Sequence, residues 1–231
     1  EIVGNSARGG GAPYRGDGIF KSIDNGESWN PLPSTQDSDP NVFNSQFQYI
    51  WDIEINPLNL TEDEVLVAAV GGILKSLDGG LTWKVSLGQK LFDLADSEDL
   101  NEAQASRFTT IERSAQNVFY AAISTDTFRN DSNEFPSPDA GIYYSMDGEN
   151  WIEITPLTDA SRYRRVVIGT SSSNPDLAYF MVDASPVFIL EHDLSQINNP
   201  QRINGFDITP REIPEFDDEL GILDTQGSYN M

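Results

Sequence analysis

"SIDNGESW", residues 22–29, returns as "SLDGGLTW" at residues 76–83 and as "SMDGENW" at residues 145–151. Each copy sets a Ser two residues before an Asp, follows the Asp with a Gly-bearing turn and ends on Trp. A catalytic Asp is not needed three times in one chain, whereas a turn-fastening Asp is. A short carboxylate accepts hydrogen bonds from the stranded N–H groups of a tight turn. Glycine supplies the positive φ that such turns need, and Trp offers a broad apolar face for packing.

Working outward, the repeat is longer than the box. "GIFKSIDNGESWNPL" from Gly18, "GILKSLDGGLTWKVS" from Gly72 and "GIYYSMDGENWIEI" from Gly141 all open on Gly-Ile and lead to the box Ser. Short β-branched and apolar runs precede the boxes. "YIWDIEINP" and "EVLVAAVGGILKS" come before the second, and "RFTTIERS" and "NVFYAAIST" before the third; all read as strands separated by turns. "YRRVVIGTSSSNPDLAYFMVDASPVFILEHD" keeps the same order, with strands at Arg164 to Gly169, Leu177 to Val182 and Val187 to Glu191, but has no box. The unit is strand, turn, strand, loop, strand, box, strand. Ser124 to Gly141, rich in Ser, Asp, Asn and Pro, reads as a loop insertion, and Leu94 to Phe108 could hold one helical turn. Four short antiparallel strands recurring about every 50 residues spell a propeller blade. A β-sandwich needs no self-similar unit. The expected fold is all-β, a β-propeller of four-stranded antiparallel blades in a single segment, residues 1–231. Its units fall near 1–40, 41–90, 105–160 and 161–200, with a further one starting at 201–231.

Composition narrows the chemistry. With 37 acidic against 14 basic residues, the formal charge is −23. Such a surface repels nucleic-acid backbones and anionic membranes. The chain has no cysteine, which excludes disulfides, thiol nucleophiles and zinc–thiolate sites. No run approaches the ~18 apolar residues of a membrane helix, so no membrane insertion is expected. The sequence opens on Glu1 in a Gly-rich run, which suggests a removed leader or an interior piece.

The boxes resemble the Asp-box, or bacterial neuraminidase repeat, of sialidases, sortilin-type receptors, xyloglucanase-type hydrolases and many secreted bacterial propellers. Two copies match fully: Ser22, Asp24, Gly26, Ser28 and Trp29, and Ser76, Asp78, Gly80, Thr82 and Trp83. The third, with Ser145, Asp147, Gly148 and Trp151, is one residue short and has Asn150 where Ser or Thr is usual. The resemblance implies that the boxes join the last two strands of each blade at the outer rim, with their Trp side chains buried, away from the channel where ligands sit. "NSARGGGAPYRGDGIFKS", "WDIEINP", "SSSNPDLAYF" and "DTQGSYNM" are similar to long secreted propeller proteins of Bacteroidota, which often carry a type IX sorting domain. That likeness implies a secreted or cell-surface setting. Such propellers have six or more blades, so four to five units imply a part of a larger ring, with more blades or a partner chain at both ends.

Candidate chemistry is sparse. The sialidase arginine motif is absent, and Arg164 and Arg165, beside Arg162, alternate to opposite faces of a strand. Asp52 and Glu54 share one face of "WDIEI" and are the candidate pair for carboxylate-assisted glycan hydrolysis, set against a solvated face. His192 has no partner motif and reads as a surface residue. The acidic loops Asp126 to Glu134 and Glu215 to Glu219 offer oxygen ligands for calcium without the spacing of a dedicated site, so no cofactor is expected. Arg15 to Asp17 spells an adhesion tripeptide, and Asn59 and Asn130 fit the glycosylation pattern. The leading expectation is a non-catalytic binding module for protein or glycan, a cargo or component of a surface assembly; the rival is a xyloglucanase-like propeller hydrolase.

Overall fold

The computed structural model describes residues 16–36, 45–89, 105–127, 136–156, 164–183 and 188–207. Arg15 of the adhesion tripeptide, Arg162, Asn130, the second acidic loop, and most of the first acidic loop and of the Leu94–Phe108 segment fall outside them.

β1 (Phe20–Lys21) and β2 (Asn30–Pro31) form a hairpin around the first box. Three four-stranded antiparallel sheets follow in chain order. The first holds β3 (Ile50–Ile55), β4 (Val65–Ala69), β5 (Gly72–Ser76) and β6 (Lys84–Gly88); the second holds β7 (Thr109–Arg113), β8 (Phe119–Ile123), β9 (Gly141–Ser145) and β10 (Trp151–Glu153). The third holds β11 (Val166–Thr170), β12 (Leu177–Val182), β13 (Phe188–Asp193) and β14 (Phe206–Asp207). Each is a meander in which sequence neighbours pair, as short connections dictate. β14 carries the third sheet past residue 200, where the sequence reading ended that unit.

The sheets stack face to face as propeller blades, and their cores are the seams between them. Ile19, Phe47, Val67, Ala69 and Leu74 join the hairpin to the first full blade. Leu66, Ala68, Ile73, Ile111, Phe119 and Ala121 join the first full blade to the second. Tyr120, Ile142, Phe180, Val182 and Phe206 belong to the seam between the second and third. Central strands are buried on both faces, which is why "LVAA" and "FYAAI" read as continuous apolar runs rather than alternating ones. The first strands converge: β7 lies against both β3 and β11.

Two boxes close the β5–β6 and β9–β10 turns, the third and fourth strands of their blades. In the second box, Asp78 accepts from the Thr82 backbone N–H at 2.8 Å, the Thr82 hydroxyl at 2.6 Å and the Ser76 hydroxyl at 2.8 Å. Asp24 repeats this set with Ser28 and Ser22. The shortened third box keeps the bonding: Asp147 accepts from the N–H groups of Glu149 and Asn150 at 2.9 and 2.7 Å and from the Asn150 amide at 2.7 Å. One residue fewer is made up by the reach of the Asn side chain. Asn25 and Gly26, like Gly79 and Gly80, take positive φ. Asn and Gly carry that conformation at least cost.

The boxes also clasp the preceding blade. Ser34, beyond β2, donates its hydroxyl to the Gly80 carbonyl and accepts the Trp83 indole N–H at 3.2 Å. One blade on, Ser86 donates to the Gly148 carbonyl at 2.5 Å and accepts the Trp151 indole N–H at 2.8 Å. A lysine directly before the Ser of each of the first two boxes reaches across to the next blade, Lys21 to the Gly79 carbonyl at 3.4 Å and Lys75 to the Asp147 carbonyl at 2.6 Å. A β-carbon on Gly80 would stand 2.5 Å from Leu32, and one on Gly148 2.7 Å from Leu66, so glycine is required by close approach as well as by φ.

Two expectations about side chains need correction. Trp29 is 62% exposed, while Trp83 and Trp151 are partly buried, because a box Trp is covered by the blade before it and no described residue covers the first. His192 is fully buried, 0% exposed, among Tyr120, Phe180 and Phe206. Its strand alternates, and its parity points into the seam, while the neighbours Glu191 and Asp193 face the other way.

Candidate functional site

The ionisable groups that gather are on the first strands, where the blades converge. β3 has a bulge between Ile50 and Asp52, and beyond it Asp52 and Glu54 pair across from Ala68 and Leu66. Opposed residues of an antiparallel pair share a face, so both carboxylates look toward the second full blade, to which Leu66 and Ala68 pack. Ile53 and Ile55 turn the other way. Aligning "WDIEI" with "TTIER" puts Ile111 at the place of Ile53 and Glu112 at that of Glu54. The next first strand has Gly169 there, with open space around it.

Glu54 meets Arg113 of β7, the guanidinium Nε standing 3.8 Å from Oε2, too far for a hydrogen bond. Glu112 accepts the Thr170 hydroxyl of β11 at 3.1 Å. Asp52 accepts the Ile53 N–H at 2.8 Å. Beside them Trp51 donates its indole N–H to the Arg107 carbonyl at 2.9 Å, lies 4.9 Å from the Phe108 ring and carries the Arg165 guanidinium 5.2 Å from its centre. Arg164 turns the opposite way, to Asp183 at 3.5 Å.

Three acids crowded with two arginines in a half-buried seam cannot all ionise easily. Burial, and then the charges of Glu112 and Asp52, push the Glu54 carboxyl up to about 7 despite Arg113. Burial raises Asp52 as well, against backbone N–H groups of Ile53 and Ile111 and the Arg165 charge. Burial raises Glu112 too, opposed by its Thr170 bond. The box acids behave oppositely. The Thr82 hydroxyl, then its N–H, hold Asp78 down to about 2, and Ser28 does the same for Asp24, so these groups stay ionised and occupied.

Among the described residues no group of three His, Asp or Glu side chains is arranged to hold a metal. Asn59, a candidate glycosylation acceptor, spends its amide N–H on Glu64 at 2.9 Å. No helix of the described residues is long and apolar enough to cross a membrane. Taken one strand at a time, the sequence shows Asp52 and Glu54, and names Arg165 without joining it to them, but Glu112, Arg113 and Thr170 are missed. Their signal lay in superposing the first strands of successive units.

Neither a family model nor a curated protein matches the sequence. Solved structures with some likeness include a GH74 enzyme of Niastella koreensis (14% identity, TM-score 0.47, 75% of this chain and 24% of that one). An ancestral GH74 enzyme gives 17% identity, a TM-score of 0.46, and coverage of 76% and 20%. The GH74 xyloglucanase from Xanthomonas campestris gives 14%, 0.47, and coverage of 85% and 27%. The chain thus spans about a quarter of the length of these structures.

Proposed function

We propose that the first-strand seam is a glycan-acting site in which Glu54 is the proton donor. The observation that carries this is a carboxyl held neutral up to about pH 7 by burial and two neighbouring acids, on the innermost strands of the blades. A neutral acid at working pH can protonate a glycosidic oxygen as the bond to the sugar breaks. Asp52, which burial also raises but whose charge two backbone N–H groups and Arg165 support, is the second carboxyl of the pair, placed to favour the developing oxocarbenium charge or to take a proton from the attacking water. Burial, and then the charge of Glu112, keeps Glu54 protonated, and Arg113 stands beside it. The test is sugar release by the protein from a panel of β-glucans that includes xyloglucan, with Glu54→Gln alongside. Turnover is expected to fall about 100-fold or more in the variant, with its melting temperature at pH 7 preserved, since Gln mimics the neutral acid.

A second reading, a non-catalytic module that binds protein or glycan, is favoured by the two arginines already engaged in the seam, Arg113 beside Glu54 and Arg165 over Trp51. It expects retention of a polysaccharide without release of sugar. The sequence resemblance supports a secreted or cell-surface setting for both.

A further inference from the structure

The two clasps follow a rule. Where a blade has Lys directly before its box Ser, and Ser in or just beyond its outer strand, the next blade carries a box that receives them. Lys21 and Ser34 serve the second box, and Lys75 and Ser86 the third. The second full blade has Tyr144 at the lysine position, and the blade after it has no box. Donor residues and receiving box come and go together.

Among the described residues nothing fills the receiving half of the first box. Trp29, at the place of Trp83 and Trp151, is 62% exposed, and among the described residues none accepts its indole N–H. Gly26 matches Gly80, but a β-carbon there would meet only the ring of Trp29, at 3.9 Å, where Gly80 meets Leu32. The box itself is fully formed around Asp24. Asn25 stands where Gly79 does; a β-carbon at Gly79 would come within 2.7 Å of the flexible tip of the incoming lysine and 3.2–3.3 Å of the Asp63 side chain.

We infer that this face is an interaction surface for one kind of partner: a further box-bearing propeller blade. That blade carries Lys directly before its own box Ser and a Ser in its outer strand. The lysine ammonium would bond the Asn25 carbonyl, and the serine would bond the Gly26 carbonyl and the Trp29 indole. A second copy of this chain does not fit, because its two such lysines, Lys21 and Lys75, already hold their own seams. Residues 208–231 do not fit either, having no lysine.

The experiment places the photoreactive residue p-benzoylphenylalanine at Trp29, and separately at Trp83, in the protein produced in its own cells. After irradiation the cross-linked peptides are sequenced. The Trp83 probe is expected to capture the stretch around Leu32 and Ser34 of the same chain, and to lose that product when Lys21→Met and Ser34→Ala are added. The Trp29 probe is expected to capture, in comparable yield, a peptide of a box-bearing blade with the Lys-Ser pair or its outer-strand Ser. A Trp29 product from any other kind of sequence overturns the inference, as does no product while the Trp83 probe reacts.

Discussion

The Asp of each box is spent on holding a turn, and its pH dependence should show it. Asp78 is held near 2 in the fold against about 3.8 when free, so its contribution is present above pH 3.8 and lost as pH falls through 2. Asp78→Asn is therefore expected to lower the melting temperature at pH 7, with the gap to the parent protein closing toward pH 2. Thermal unfolding across that range is the check; a constant gap would mean that the charge plays no part. His192 works in a higher window. Burial drives its imidazole down to about 4 from 6.5, so stability is full above pH 6.5 and declines as pH falls toward 4, where the unfolded chain binds a proton that the fold resists. Tyr120, Phe180 and Phe206 surround the ring, and the Asn204 backbone, Asp193 and Arg202 are the polar groups that act on it. His192→Phe should flatten the decline between pH 6.5 and 4. Equal acid sensitivity in both proteins would show that another group governs it. The burial of His192 was hidden in the sequence, because its two charged neighbours lie on the opposite face of the strand.

Blade-on-blade clasping rather than turn closure sets the energetics at the next scale. Lys75 and Glu64 form an ion pair at 2.8 Å with both side chains about 5% exposed or less, and Lys75 also bonds the Asp147 carbonyl of the next blade. Lys75→Met should cost about 3–5 kcal/mol by stranding a buried carboxylate, and adding Glu64→Gln should recover much of it. Denaturant midpoints of the single and double variants decide this, and equal losses in both would contradict it. Glycines of the boxes give a second comparison. Gly26→Ala and Gly80→Ala both meet positive φ, a strain of about 1–2 kcal/mol. The Gly80 variant should lose more, because its β-carbon collides with Leu32 across the seam. Strand order and blade type were legible in the repeat, since box spacing and apolar runs are local signals. The clasps were not, because Ser34 and Ser86 look like ordinary polar residues until the next blade is set against them.

Across the described residues, the acids fall into two groups, those of the box turns and those of the first strands of the first two full blades. Outer turns hold acids that are ionised and fully bonded; the converging first strands hold acids that resist ionisation. Asp52 and Glu54 could be picked from one strand by alternation, while Glu112 and Arg113 emerge only when β7 is laid against β3. That convergence belongs to the arrangement of blades, not to any single segment. The claim at the centre of this account is that Glu54 is a neutral acid near pH 7. Carboxyl carbon NMR of the protein, with Glu54 assigned by its Gln variant, measures that state without reference to any substrate. Glu54 is expected to titrate near 7 and to shift down in Glu112→Gln, while staying above 4.5, the ordinary glutamate value, because burial, the larger cause, remains. A Glu54 resonance that already titrates near 4.5 in the parent protein would contradict it.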